Sequence, residues 1–262
     1  ILRINGSHAK AAEIAFYARD IRKTLGRRVR ILMDLPGNKI RTSDLSQPLI
    51  LAVGKTFELK PEHLNYPQFL NHLAPGDVLL ANDSLFRFEV VAVSPKKAVL
   101  LSHSEGQLPS NKGIHLTGRH PPMPFLFARD RELIRAAVKN GLDYIGLSFV
   151  RDAADVREAR RAIKGARLSL IVKIETASAV RNLDEVLASA DEFLVDRGDL
   201  SCDVGIENVE RLQKMILRRG KVAGKKVYFA TQFLHSMVRN NVPLIAEACG
   251  LSDAVACGVD GV

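Results

Sequence analysis

Two charged residues close an apolar run near the middle of the chain. Lys173 and Glu175 lie on either side of Ile174 at the end of Leu168–Glu175, whose aliphatic residues are typical of a buried strand. Because side chains alternate along a strand, we expect Lys173 and Glu175 on one side and Ile174 on the other. Charged groups at the end of a buried strand destabilise the fold unless they are solvated or bind a partner. These two residues are therefore candidates for a functional site.

A second acidic residue, Asp199, follows the next predicted strand. Because the carboxyl ends of parallel barrel strands meet at one face, we expect Glu175 and Asp199 to be neighbours. Two carboxylates, completed by water and substrate oxygens, suit Mg²⁺, which rarely takes a full set of protein ligands. A structural cluster of salt bridges is the alternative interpretation.

Other residues at predicted strand ends suit an anion. Gly198 permits close approach to the backbone, and a helix that begins there offers free N–H groups. Arg3 and Arg41 end two further strands and have the fork geometry that binds phosphate, although each alone is also typical of a surface arginine. Thr231 ends another strand, where its hydroxyl either faces the same site or caps a helix.

The composition is typical of a globular protein, with 47% apolar and 26% charged residues and no apolar run near the roughly 20 residues of a membrane span. A net charge of +9 favours anionic partners, either phosphorylated metabolites or nucleic acid. Aromatic residues, at 6%, are fewer than a protein that stacks single-stranded bases usually has. The three cysteines lack the spacing of zinc ligands and favour a reducing compartment. We therefore expect a cytoplasmic protein that binds neither membranes nor nucleic acid.

Strand patterns alternate with helical patterns through most of the chain. This alternation predicts parallel βαβ units and an α/β fold, a (β/α)₈ barrel that is incomplete because seven of its eight strands are visible. A doubly wound sheet is the alternative, but no G-x-G-x-x-G follows the first strand. The predicted strands are Ile1–Asn5, Val29–Asp34, Tyr144–Phe149, Leu168–Glu175, Glu192–Asp196, Val227–Thr231 and Asp260–Val262.

The segment between about 42 and 122 differs from the rest. Its alternating apolar residues and its Pro, Gly and Asn turn signals predict a small antiparallel β-barrel domain inserted into the larger barrel. An inserted domain of this kind usually acts as a lid. The predicted domains are therefore a first barrel part over 1–42, an inserted β lid over 43–121 and a second barrel part over 122–262.

Several short motifs resemble, in order and spacing, those of the pyruvate kinase family. In the predicted barrel they are Arg3-Ile4-Asn5-Gly6-Ser7-His8, Asp34 to Thr42, Ser148-Phe149-Val150-Arg151, Lys173-Ile174-Glu175, Arg197-Gly198-Asp199-Leu200 and Ala230-Thr231-Gln232. In the insert they are Gly76-Asp77, Asn82-Asp83-Ser84 and Asn111-Lys112-Gly113-Ile114. Each motif alone is weak evidence for the family, whereas the order and spacing of all of them together is specific to it.

The resemblance implies a barrel with a lid that transfers phosphate from phosphoenolpyruvate to ADP, giving pyruvate and ATP in glycolysis. It implies that Glu175 and Asp199 hold Mg²⁺, with Mn²⁺ as a substitute, and that Lys173 stabilises charge on the phosphoryl group and the enolate. The amides of Gly198 and Asp199 would hold the substrate carboxylate, and Thr231 would lie on the face where the enolate is protonated.

The resemblance also assigns the remaining site residues. Arg3 and Ser148 belong to the substrate and phosphate site, while Asn5, His8, Arg41 and Lys112 belong to the nucleotide site, Lys112 from the lid. The monovalent-cation site would comprise Asn5, Ser7, Asp34 and the backbone carbonyl of Leu35. Lys39 stands where K⁺-requiring members carry Glu, so we expect no K⁺ requirement.

The sequence also departs from the family pattern. Asp196 stands where Ala is usual and adds a negative charge beside an anion site, and Pro36, Asn38, Asn82 and Ser84 are further changes. These departures favour, as an alternative, a catalytically impaired regulatory or anion-binding barrel. A Mg²⁺-dependent carbon–carbon lyase of the related pyruvate-binding barrels is a further alternative, although the lid argues against it. We expect the chain to be a fragment without the first barrel strand and the C-terminal part, and the whole protein to be a homo-oligomer.

Overall fold

A computed structural model describes residues 1–82, 84–118 and 120–262, so that Asp83 of the Asn82-Asp83-Ser84 motif lies outside the described residues. The chain divides into two compact units. One comprises Ile1–Asn38 and Pro124–Val262, and the other comprises Lys39–Met123. We call them the parallel unit and the antiparallel unit, after their sheets.

The strands and helices have the following bounds. The strands are β1 (Leu2–Asn5), β2 (Ile31–Asp34), β3 (Ile40–Arg41), β4 (Leu49–Leu51), β5 (Thr56–Leu59), β6 (Val78–Ala81), β7 (Phe86–Ser94), β8 (Lys97–Ser102), β9 (Gly106–Leu108), β10 (Gly113–Leu116), β11 (Tyr144–Leu147), β12 (Ser169–Ile174), β13 (Glu192–Asp196) and β14 (Lys226–Ala230). The α-helices are α1 (Ile14–Leu25), α2 (Ala128–Lys139), α3 (Ala153–Ala162), α4 (Ala177–Arg181), α5 (Leu183–Ser189), α6 (Arg197–Val204), α7 (Ile206–Val222) and α8 (Ile245–Ala256). Short 3₁₀ helices cover Ala11–Glu13, Gly26–Arg28, Pro61–His63, Pro67–His72 and His235–Val238.

The parallel unit is built on one six-stranded sheet in the order β1-β2-β11-β12-β13-β14. All neighbouring pairs are parallel, and Ile174 of β12 pairs in register with Val195 of β13. A single parallel bridge between Tyr228 and Gly261 stands where the sequence predicts a seventh strand. The sheet therefore forms part of a parallel α/β barrel, with the carboxyl ends of its strands at one edge.

The core of the parallel unit lies between the sheet and its helices. Phe193 and Ile174 are fully buried, and α7 contributes Ile216 to the same core. Helix α7 packs closely on β14, because a Cβ on Gly220 would lie 2.4 Å from Cγ2 of Val227. A larger residue at position 220 would have to push the helix away from the strand.

Helix α4 of the parallel unit is absent from the sequence prediction, and α6 is expected there only as a helix that begins at Gly198. Thr176 caps α4 by accepting a hydrogen bond from the Ala179 amide, and Asp196 caps α6. Both helices are short, and only Leu200 of α6 is buried, so neither carries the apolar periodicity that predicts a helix. They matter for function because each begins directly after a strand end that carries a candidate residue.

The antiparallel unit contains a six-stranded sheet in the order β3-β10-β6-β7-β8-β5 and a separate β4–β9 pair. All of its paired strands are antiparallel, as the sequence pattern predicts for this segment. Its core includes Phe69, Leu79, Phe88 and Leu100, which are almost completely buried. The sequence pattern predicts a strand that ends at Arg41, as β3 does, but does not predict β4, β9 or β10.

Within the part of the chain that the structure describes, no helix has both the length and the apolar character needed to cross a membrane.

Candidate active site

A buried lysine lies among three carboxylates at the carboxyl edge of the parallel sheet. The Lys173 Nζ atom is 2.7 Å from Glu175 Oε1, 3.4 Å from Asp34 Oδ1 and 3.9 Å from Asp196 Oδ2. The exposed fraction is 8% for Lys173 and 1% for Glu175. Strands β2, β12 and β13 thus supply the charged groups of one site, with Lys173 and Glu175 facing the same way and Ile174 in the core.

The pKa values of the central pair reflect this burial. Burial alone lowers the pKa of Lys173, but the carboxylates of Glu175, Asp34 and Asp196 outweigh it and hold the pKa above its ordinary value. Burial raises the pKa of Glu175, and the nearby carboxylates of Asp199 and Asp196 raise it further against the opposing effect of Lys173. Lys173 is therefore held in its charged form, and the pKa of Glu175 lies above its ordinary value.

The acidic cluster consists of Glu175, Asp196 and Asp199, each with a carboxylate oxygen within 4.8 Å of those of the others. Oxygen donors of this kind are the ligands that Mg²⁺ and Mn²⁺ prefer. Glu175 Oε1 is buried and has the Lys173 ammonium as its close partner at 2.7 Å. The set of three carboxylates fits a divalent cation.

The first turn of α6 meets the end of β14. The Gly198 amide donates a hydrogen bond to Thr231 Oγ1 at 3.0 Å, and the Asp199 amide donates to Asp196 Oδ1 at 3.5 Å. In this structure, both amides that the resemblance assigns to the substrate carboxylate have acceptors within the chain. The distance of 3.5 Å is at the outer limit of a hydrogen bond, so the Asp199 amide is only weakly satisfied.

Thr231 begins a strained loop held by Arg197. The φ angles of Thr231, Gln232 and Leu234 are +71°, +55° and +51°, which is unfavourable for side-chain-bearing residues and most of all for a β-branched threonine. Arg197 Nε donates to the Thr231 carbonyl at 3.2 Å, and its guanidinium lies 3.6 Å from the centre of the Phe233 ring. Arg197 thus fixes the residue whose hydroxyl contacts the start of α6.

Sequence reasoning notes Asp196 only as an unusual negative charge beside the anion site, and it gives the Arg197 side chain no role. A signal for Asp196 is available in the register, because it ends β13 beside the point where Glu175 follows β12. The direction of the Arg197 side chain depends on the fold of the loop after β14 and has no local signal.

Arg3 and the predicted monovalent-cation residues lie along β1 and β2. Arg3 Nη2 is 2.5 Å from Asp34 Oδ2, and Asn5 of β1 pairs in register with Asp34 of β2. The Ser7 amide donates to Asn5 Oδ1 at 3.0 Å. These residues are therefore neighbours, with Asp34 shared between Arg3 and Lys173.

Ser148 lies beneath the same edge. Its buried hydroxyl donates to the Leu35 carbonyl at 2.7 Å, which is the carbonyl assigned to the monovalent-cation site. The Ser148 hydroxyl therefore has an acceptor in the protein, and its role in this structure is to hold the backbone after β2.

A surface pocket of about 330 Å³ brings together three of the residues expected to bind substrate phosphate or nucleotide. Its lining consists of Arg3, Asn5 and His8 with Ile4, Ala9, Tyr17 and Ile21. The mixture of an arginine, an amide, an imidazole and apolar side chains suits a ligand that has both a planar apolar part and an anionic part.

The antiparallel unit holds the other three expected residues. Arg41 of β3 pairs with Gly113 of β10, and the Thr42 amide donates to the Lys112 carbonyl at 2.8 Å, so Arg41 and Lys112 are close in this unit. The Lys39 carbonyl accepts a hydrogen bond from the Asn65 side chain at 3.0 Å.

Comparisons with known proteins agree with the fold. The family model described as pyruvate kinase, barrel domain, matches residues 1–262. The chain is 33% identical to the pyruvate kinase of Geobacillus stearothermophilus, over 100% of the chain and 48% of the relative, and 33% identical to that of Thermococcus litoralis, over 100% and 58%. It is 30% identical to plastidial pyruvate kinase 2 of Arabidopsis thaliana, over 98% of the chain and 47% of the relative.

The chain therefore spans about half the length of the curated relatives it matches. The match along all of its residues, together with the parallel sheet and the antiparallel insert, confirms the predicted α/β barrel class. By its family match and its similarity to these relatives, the chain belongs to the pyruvate kinase family.

Proposed function

We propose that the whole protein transfers the phosphoryl group of phosphoenolpyruvate to ADP, giving pyruvate and ATP. The observation that carries this proposal is the buried Lys173, in contact with Glu175 and Asp34 and next to the acidic cluster. A permanent positive charge beside cation-binding carboxylates is what a phosphoryl transfer needs, because its transition state carries negative charge on several oxygens at once.

The proposal gives a role to five site residues of the parallel unit. Glu175 and Asp199 would hold Mg²⁺ or Mn²⁺, which when bound neutralises charge on the phosphoryl oxygens and orients the substrate. Lys173 stabilises the negative charge that develops on the phosphoryl group and the enolate, and Arg3 binds phosphate. The Thr231 hydroxyl, which contacts the start of α6, faces the reacting carbon and takes part in the protonation of the enolate.

The nucleotide is proposed to bind at the pocket lined by Arg3, Asn5 and His8. Arg41 and Lys112, which are close to each other in the antiparallel unit, are proposed to bind nucleotide phosphates, as the resemblance implies. Arg–phosphate contacts are directional and strong.

A coupled assay tests the proposal. The whole protein, given phosphoenolpyruvate, ADP and Mg²⁺, should form pyruvate and ATP in equal amounts, and both products should disappear when the divalent cation is chelated. Binding of phosphoenolpyruvate without formation of either product would contradict the proposal.

We expect this activity to be independent of K⁺, because Lys39 would supply the positive charge that other members take from the ion. The initial rate in a buffer with tetramethylammonium as the only monovalent cation should equal the rate in K⁺. Lys39→Glu should make the rate depend on K⁺. A strong K⁺ requirement of the unaltered protein would contradict this expectation.

A regulatory or anion-binding barrel with impaired catalysis is the second candidate function. The observation that favours it is that Thr231 and Asp196 accept hydrogen bonds from the two amides expected to hold the substrate carboxylate. This candidate requires ligand binding, measured by calorimetry, with no ATP formed in the coupled assay.

A cytoplasmic location and a homo-oligomeric whole protein are also proposals. Among the described residues, Cys202, Cys249 and Cys257 form no disulfide, which agrees with a reducing compartment. One of the relatives is named as a plastidial enzyme, so members of this family function in more than one compartment.

A further inference from the structure

We infer that Asp196 is a third carboxylate ligand of the divalent cation, beside Glu175 and Asp199. This inference rests on the proposed function, because it concerns the same metal centre. It adds a ligand that the resemblance does not supply, since the family pattern has Ala at this position.

The position of Asp196 follows from the strand register. Ile174 of β12 pairs with Val195 of β13, so the next residues, Glu175 and Asp196, leave their strands side by side. Asp196 is 8% exposed, and its carboxylate lies within 4.8 Å of those of Glu175 and Asp199. The three side chains therefore surround one point from two strand ends and one helical turn.

Both oxygens of Asp196 have only distant partners. Oδ1 is 3.5 Å from the Asp199 amide nitrogen, and Oδ2 is 3.9 Å from Lys173 Nζ. A charged hydrogen bond is normally shorter than 3 Å, so neither contact satisfies a buried carboxylate fully. Asp196 thus keeps the capacity to bind a cation.

The excess of carboxylates around Lys173 also supports a cation beside Asp196. Asp34, Glu175 and Asp196 share the one ammonium, while Arg3 contacts Asp34 on its other oxygen. Arg197 directs its guanidinium to the Thr231 carbonyl and the Phe233 ring. The Lys173 ammonium lies closest to Glu175 Oε1, at 2.7 Å, and is thereby engaged, so that Asp196 has no near cationic partner in this cluster.

The test is a titration with Mn²⁺, in which electron paramagnetic resonance measures the free ion in the presence of the full chain. Asp196→Asn keeps the capping of α6, because Asn and Asp are equally good caps, but removes the charge. If Asp196 is a ligand, this variant should bind Mn²⁺ at least about tenfold more weakly. Asp196→Ala should show the same loss, and Asp196→Glu should recover part of the affinity.

Asp152→Asn is the matched control. Asp152 caps α3 by accepting hydrogen bonds from Ala154 and Asp155 in the same unit, but it is not part of the acidic cluster. This variant should bind Mn²⁺ with unchanged affinity. Thermal melting followed by circular dichroism checks that each variant is folded. If Asp196→Asn is not folded, the Mn²⁺ affinity of Asp196→Ala decides the result.

Two outcomes overturn the inference, and they differ in what they say of the proposed function. If Glu175→Gln loses Mn²⁺ binding while Asp196→Asn binds as the unaltered chain does, Asp196 is not a ligand and the metal centre of the proposed function stands. If Glu175→Gln also binds Mn²⁺ normally, or the unaltered chain binds none, the metal centre itself is wrong and the inference fails with it.

Discussion

Lys173→Met should lower the turnover of the whole protein by about 100-fold or more, because the variant lacks the positive charge that stabilises the transferring phosphoryl group. The side chain of methionine is nearly as long but neutral, so Asp34, Glu175 and Asp196 would lose the ammonium they share. The coupled assay at saturating phosphoenolpyruvate and ADP measures this loss as a change in kcat.

Two further variants separate chemistry from folding. Removing one partner of a buried ion pair lowers stability by about 3–5 kcal/mol, so thermal melting must show that Lys173→Met is folded. Lys173→Arg, which keeps the charge, is the second variant. Lys173→Arg should fold but remain slow, since arginine places its charge differently. Lys226→Met is the control, because Lys226 begins β14 at the opposite edge and is 60% exposed. Unchanged turnover in folded Lys173→Met would refute the role of Lys173.

Phe193→Ala should lower the free energy of unfolding of the parallel unit by about 3–5 kcal/mol. Phe193 is the second residue of β13 and has no exposed surface, and its truncation leaves a cavity in the core that β12, β14 and the helices share. Chemical denaturation followed by circular dichroism measures the change as a lower midpoint.

Phe16→Ala is the matched control for this substitution. Phe16 lies on α1 in the same unit, but 56% of its surface is exposed, so its loss should change the free energy of unfolding by less than about 0.5 kcal/mol. Equal effects of the two substitutions would show that Phe193 is not in a close-packed core.

The sequence predicts those features that depend on local periodicity. The alternation around Ile174 is enough to place Lys173 and Glu175 on one face, and repeated strand and helix patterns are enough for the α/β barrel class. Apolar residues that recur at helical spacing predict a helix over Leu183–Ser189, and α5 has these bounds.

Other features depend on contacts between distant residues and have no local signal. The sequence predicts a helix that begins at Gly198, but only the structure shows that Asp196 caps α6. That Asp34 contacts both Lys173 and Arg3 requires the order of strands β1, β2 and β12 in the sheet. The contact of Arg197 with the carbonyl of Thr231 depends in addition on a loop whose left-handed backbone the residue types disfavour.

The pairing of Ile174 with Val195 links the chemistry of this protein to its folding. A slip of one residue between β12 and β13 would turn Ile174 outward and carry Lys173 into the apolar layer, since successive residues of a strand face opposite ways. A folded state with a rearranged site would therefore be much less stable, because it would bury the charge of Lys173 and expose Ile174. A change that displaces Lys173 from its carboxylates should also reduce the protection of the β12 and β13 amide hydrogens against exchange with solvent. Amide hydrogen exchange along these two strands therefore reports on the integrity of the site even without substrate.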